Sequence, residues 1–359
     1  MPEAAPLLRV RDLKKYFPIR GGMLGRITGN VQAVDGVSFD VFPRETLGLV
    51  GESGCGKTTL ARTIIRLLDP TEGSIEFELD GRTVDLAHSS QRDLRPLRRH
   101  IQYIFQDPYS SLNSRMTIER ILTEPANING IDSPAERRDR ARSMLERVGL
   151  KPDMLSRYPN EFSGGQRQRI VVARALMLEP KLIICDEPVS ALDVSVQAQV
   201  LNLLKELQDD FGFTYVFIAH DLSVVDYISD RIMVMYLGRI VEHGKPDELY
   251  RRPKHPYTEA LMKSIATPDP RARKRETPPA GGVPDPSNPP VGCHFHPRCP
   301  YAVDECREID PALEPVVSEP ERSAACIRKD DISLKGYYDM RTSEPDRSLS
   351  DANTQRGGI

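Results

Sequence analysis

The 359-residue sequence contains no run of eighteen apolar residues, so no segment is expected to cross a bilayer as a helix. Charge of either sign is in little excess. The 49 lysines and arginines against 52 aspartates and glutamates leave a net charge of −3, which gives no electrostatic basis for a nucleic-acid partner. The first residues, MPEAAPLLRVRDLKKYF, lack the basic-then-apolar order of a secretory leader. No internal repeat is visible. A cytosolic location is the resulting expectation. Thiols stay reduced there, so grouped cysteines point to a metal before a disulfide.

The length suggests about two domains, and 39% hydrophobic residues suffice for a sizeable core. Composition changes near residue 266. Before it, strand-like and helix-like segments alternate, the pattern of an α/β domain. After it, thirteen of the thirty prolines fall between Pro268 and Pro320. Such a segment is short of backbone donors, and is expected to be a linker or a small module held by something other than a core. The end of the chain, RTSEPDRSLSDANTQRGGI, is polar; residues 331–359 are expected to be an unstructured tail.

Within the first part, TLGLVG (46–51), KLIICDE (181–187) and TYVFIAH (214–220) read as buried strands, and KTTLARTIIRLL (57–68) as a helix. SPAERRDRARSMLERVGL (133–150) reads as another, with Ser133 as cap, Pro134 at its first position and Glu136 completing a capping box. In open parallel sheets ligands sit beyond the carboxyl ends of strands. GESGCGKTT, from Gly51 through Ser53, Gly54, Gly56, Lys57 and Thr58 to Thr59, occupies such a position. Its glycines let backbone N–H groups surround phosphate oxygens at the start of a helix. Lys57 is placed to reach the β- and γ-phosphates, and Thr58 to bind Mg²⁺. Asp186, at the end of an apolar strand, is placed to hold Mg²⁺ through water, and Glu187 to polarise an attacking water. FSGGQRQR (162–169) sets two glycines before a helix, and His220 ends a strand. Cys55 and Cys185 lie inside these motifs and read as small packing residues.

Together these residues resemble the ATPase subunit of an ABC transporter over residues 7 to about 265. The resemblance implies an ABC-type P-loop nucleotide-binding domain, with a RecA-like core, a helical subdomain at about 107–162 and an antiparallel β subdomain. In it Gly51–Thr58 match Walker A, Gln106 the Q-loop, Ser163, Gly164, Gly165 and Gln166 the signature (with Phe162 where Leu is usual), Asp186 and Glu187 Walker B and the catalytic glutamate. SALD (190–193), ending in Asp193, matches the D-loop, and His220 the switch histidine. Phe17, with Tyr16 as the alternative, falls where the family stacks an aromatic ring on adenine. The family's head-to-tail dimer implies that Ser163, Gly164, Gly165, Gln166 and Asp193 serve the partner's ATP. It also implies that Gln106 senses Mg²⁺ and transport state, and that 107–162 meets the membrane subunits. A soluble ABC ATPase of translation or DNA repair would need two cassettes or a long coiled coil, and neither is seen.

HPYT followed by PDP within 251–270, together with PYSSLNSRMTI (108–118) and the insertion at 17–39, resembles oligopeptide and dipeptide importer ATPases. Relatives import peptides, nickel, glutathione or oligosaccharides. The resemblance implies a second ATPase subunit, usually a paralogue, two permease subunits and an extracytoplasmic solute-binding protein. It implies a peripheral position on the cytoplasmic face of the bacterial inner membrane. Residues 266–330 then form the importer's C-terminal extension. That extension holds Cys293, Cys299, Cys306 and Cys326. Four thiolates suit Zn²⁺ or an iron–sulfur cluster. No short C-x2–4-C knuckle is present, and the wide spacing leans towards 4Fe-4S, as the resemblance also implies; unligated thiols are the remaining alternative. His294 and His296 are candidate substitute ligands, with surface positions the stronger expectation. Because the cysteines lie outside every ATPase motif, the nucleotide site is expected not to depend on the extension.

Overall fold

Strands buried on both faces need continuous apolar runs rather than alternation, and three five-residue runs here are buried at every position. They form the centre of a computed structural model that describes residues 5–21, 26–264, 282, 284–317 and 319–342. In chain order the strands are β1 (Leu8–Gly21), β2 (Arg26–Val41), β3 (Thr46–Val50), β4 (Glu72–Leu79), β5 (Arg82–Asp85), β6 (Ile101–Ile104), β7 (Leu182–Asp186), β8 (Thr214–Ile218), β9 (Arg231–Tyr236), β10 (Arg239–Gly244), β11 (Glu314–Val316) and β12 (Glu319–Ala324).

The main sheet has the order β11-β12-β10-β9-β3-β8-β7-β6. Its pairings from β9 to β6 are parallel, so the carboxyl ends of β3, β6, β7 and β8 meet at one edge. A second, antiparallel sheet runs β2-β1-β4-β5. It packs Leu8, Val10, Phe39, Ile75 and Phe77 against Leu60 and Ile64 of helix Lys57–Ile64. That helix is shorter than its apolar run, because Arg66 takes a left-handed φ of 56°. Helices Ile118–Ile128 and Pro134–Arg147 bury Ile118, Leu122, Ala141 and Leu145 in one core with Ile170 of helix Gly164–Leu176. Ser133 and Glu136 form the capping box their spacing predicts.

The proline-rich extension departs from the expectation of a segment without core or sheet. Its β12 pairs with β10, Glu242 opposite Ala324, and so continues the main sheet. Phe295 is 1% exposed. It meets Tyr236 edge-on at 5.3 Å and Tyr257 at 5.4 Å. Arg322, fully buried, donates to the equally buried Glu242 at 2.6 Å and to Arg252 O. The same carboxylate accepts from the N–H groups of Lys254 and His255. The extension lacks a core of its own but borrows the cassette's. The expectation of an unstructured tail is corrected over its described part, 331–342. Helix Tyr337–Thr342 continues the chain, with Tyr337 edge-on to Tyr250 at 5.9 Å. An aromatic pair outweighs the polar composition around it. Residues 343–359 of the expected tail, residues 266–281 of the extension and part of the 17–39 insertion lie outside the described residues.

Replacing Arg322 by Ala leaves Glu242 buried without its cation, a change that typically costs about 3–5 kcal/mol. The expected result is a large drop in denaturant midpoint; a midpoint within error of wild type would contradict it. His255 supplies a pH test. Burial lowers its pKa to about 3, and its Nδ1 accepts from Tyr257 N as a helix cap. The unfolded chain therefore takes up this proton first. The stabilisation is complete above pH 6.5 and is lost as pH falls from there towards about 3. His255→Asn should flatten the stability profile across that window, measured by denaturant titration at several pH values.

Candidate functional site

The edge where the parallel strands end is a cleft of about 470 Å³ lined by Ser53, Gly54, Cys55, Gly56, Lys57, Thr58 and Thr59 on one side and Gln106, Glu187 and His220 on the other. Gly56 has φ 110°, and a Cβ there would lie 2.1 Å from Ala33 O, so only glycine fits. Lys57 Nζ donates to the carbonyls of Gly51 at 2.7 Å and Glu52 at 2.9 Å. Thr58 Oγ1 donates to Asp186 Oδ1 at 3.0 Å. Gln106 Nε2 donates to Glu187 Oε2 at 3.0 Å, and His220 Nδ1 lies 3.2 Å from the same oxygen. Glu187 has φ 48°, a strained value for a residue with a side chain, of the kind concentrated at working sites.

Ser163, Gly164, Gly165, Gln166 and Asp193 do not line this cleft. Ser163 is exposed and caps helix Gly164–Leu176 in a reciprocal box with Gln166. Gly165 packs on the next helix, where a Cβ would lie 2.4 Å from Val196. Phe17 pairs with Val31, a lining residue, but does not itself line the cleft; it is 36% exposed, with Lys15 over its ring. Tyr16, the alternative, does not line the cleft either, and its hydroxyl donates to Asp35.

Comparison with known proteins adds three findings. The ABC transporter family model matches residues 34–190, and that of the oligopeptide/dipeptide transporter C-terminal region matches 241–306. The oligopeptide transport ATP-binding protein AppF of Bacillus subtilis is 52% identical over 323 residues, spanning 89% of this chain and 96% of that protein. The dipeptide transport ATP-binding protein DppF of Haemophilus influenzae is 49% identical, spanning 87% and 94%. The chain belongs to the oligopeptide/dipeptide family of ABC transporter ATP-binding proteins. Two solved ABC cassettes share its fold at 28% identity and TM-score 0.58. The MJ0796 dimer bound to ADP and Pi covers 67% of this chain and 98% of its own. CbiO1 from Clostridium perfringens, part of the complex cbiONQ, covers 68% and 90%. ATP hydrolysis coupled to transport is the activity of this ABC ATPase.

Three residues of the ABC ATPase site escaped the sequence reading. Tyr103 donates to Asp186 Oδ2 at 2.6 Å; burial and that carboxylate raise its pKa. Tyr257 accepts from the N–H of Glu52 at 2.8 Å. Arg298 grips the Glu52 carboxylate with both Nη atoms, at 2.8 and 2.9 Å. Tyr257 was the most legible, as the one hydroxyl-bearing ring of HPYT. The cleft also includes Pro286 of the extension, whose carbonyl accepts from Gln32 N at 3.1 Å. These contacts join the nucleotide motifs to the extension.

Cys293, Cys299, Cys306 and Cys326 line one small cavity together with His255, Phe295 and His296. All are free thiols. Burial, with the neighbouring cysteines, pushes Cys299 up to about 11 and Cys326 up to about 12. Among the described residues no three His, Cys, Asp or Glu stand as a ready site for a single metal ion. His296 and His294 are both partly buried, and His296 Nδ1 lies 2.9 Å from Cys293 O.

Gly56→Ala should fold yet bind ATP at least roughly tenfold more weakly, since the displaced loop carries strain of about 1–3 kcal/mol. Titration with a fluorescent ATP analogue checks this; wild-type affinity would contradict the tight approach to Ala33.

Proposed function

We propose that this chain binds and hydrolyses ATP to power import of peptides through an ABC transporter. The observation that carries the reading is one cleft holding Lys57, Thr58, Gln106, Glu187 and His220 in a chain whose C-terminal region matches the oligopeptide/dipeptide family. Lys57 exchanges the carbonyls of Gly51 and Glu52 for the β- and γ-phosphates. Thr58 and Asp186 offer hard oxygen donors 3.0 Å apart, a set that suits Mg²⁺. Bound there, Mg²⁺ offsets phosphate charge. Glu187 orients and deprotonates the attacking water. His220 and Gln106, both on its Oε2, hold that carboxylate in place and report the γ-phosphate. Phe17 supplies an adenine-stacking ring once nucleotide enters.

Ser163, Gly164, Gly165, Gln166 and Asp193 act on the ATP of a second ATPase subunit. Their place outside this chain's own cleft supports that division, and the dimeric form of the MJ0796 cassette agrees with it. Among the described residues no helix is long and apolar enough to cross a membrane. Two permease subunits therefore supply the path, and a solute-binding protein delivers the peptide. The ATPase sits on the cytoplasmic face, its 107–162 region towards the permeases.

The four cysteines hold a 4Fe-4S cluster. Their side chains line one cavity, and their wide spacing, without a short C-x2–4-C knuckle, supports a multi-iron group over Zn²⁺. Bound there, the cluster would cross-link residues 293–326. Substituting Cys299 by Ser should remove roughly four irons per chain and a broad absorbance near about 400 nm from anaerobically purified protein. One zinc in colourless protein would replace the cluster with the alternative.

Glu187→Gln should retain ATP binding and trap a closed dimer, while turnover in the assembled transporter falls roughly 10²–10⁴-fold. Lys57→Ala should lose binding itself. Wild-type turnover without Glu187 would refute its role.

A further inference from the structure

Glu52 is an unassigned position of the phosphate loop, yet it is restrained on three sides. Its carbonyl holds the Lys57 ammonium at 2.9 Å. Its N–H is held by Tyr257. Its carboxylate is held by the two-pronged grip of Arg298, whose side chain is only 5% exposed. A planar guanidinium paired with both carboxylate oxygens fixes orientation as well as distance. Two of the three restraints come from the C-terminal part of the chain.

Arg298 is itself set by the cysteine turn. It ends the short turn His296–Arg298, with its N–H on Phe295 O at 3.0 Å, and Cys299 follows directly. His296 N donates to Cys293 O at 3.0 Å. Phe295 locks the turn against Tyr236 and Tyr257. A shift of the backbone between Cys293 and Cys299 must therefore move the guanidinium, and through it the residue whose carbonyl competes with phosphate for Lys57.

We propose that Arg298 is a positioning residue of the ATP site, coupling the cysteine turn to the phosphate loop through Glu52. The inference rests on reading the cleft as the ATP site. Coupling between sites is reciprocal in binding free energy: a turn held in this conformation favours ATP, and bound ATP favours this conformation of the turn.

The test is ATP kinetics of the full chain in its assembled transporter, with Arg298→Gln, Glu52→Gln and the double variant. Each single change should raise KM roughly tenfold, within the usual span of such couplings, and affect kcat less. The double variant should be no worse than the poorer single one, because one interaction is removed once. Arg298→Lys keeps the charge but loses the fork, and should give an intermediate KM. An unchanged KM, a loss confined to kcat, or single effects that multiply to roughly a hundredfold would each overturn the coupling. Lys57→Ala is the separate control: if it binds ATP as wild type does, the reading of the cleft falls, whatever Arg298 does.

Discussion

Parallel pairing of β9, β3, β8, β7 and β6 is the constraint on which the rest of the molecule depends. Strands that run the same way, buried on both faces, all release their chains at one edge. That geometry brings Lys57, Gln106, Glu187 and His220 to one cleft from loops more than a hundred residues apart at the extremes. Thr58 and Asp186 meet at 3.0 Å only because β3 and β7 flank β8 in this order.

The second organising feature is the attachment of the extension. Tyr236 of β9, Tyr257 of helix Pro256–Lys263 and Phe295 of the cysteine turn share one aromatic cluster. Arg322 and Glu242 secure the neighbouring strand pair. The extension therefore shares the cassette's core, and its Arg298 and Pro286 reach the phosphate loop and the cleft wall. A hydrolytic site and a thiol cluster that look separate along the chain share residues one contact apart.

Much of this was legible locally. The phosphate loop, the strand-end Asp186–Glu187 pair and the Ser133 cap each state their backbone requirements in neighbouring residues, so spacing alone reveals them. Prediction failed where partners lie far apart. Tyr16 and Phe17 are equally aromatic, and nothing in their spacing shows that the Tyr16 hydroxyl bonds Asp35 while Lys15 lies over the Phe17 ring. Proline content misled for the extension, since few apolar residues suffice when each inserts into a core made elsewhere. Polar composition likewise hid the helix Tyr337–Thr342.

The sequence by itself determined the cassette and its motifs, because these depend on short-range geometry. The bond from Tyr103 to Asp186 and the grip of Arg298 on Glu52 across 246 positions belong to the tertiary structure alone. No period or spacing encodes them; they arise only when the parallel ladder and the aromatic cluster have brought distant segments together.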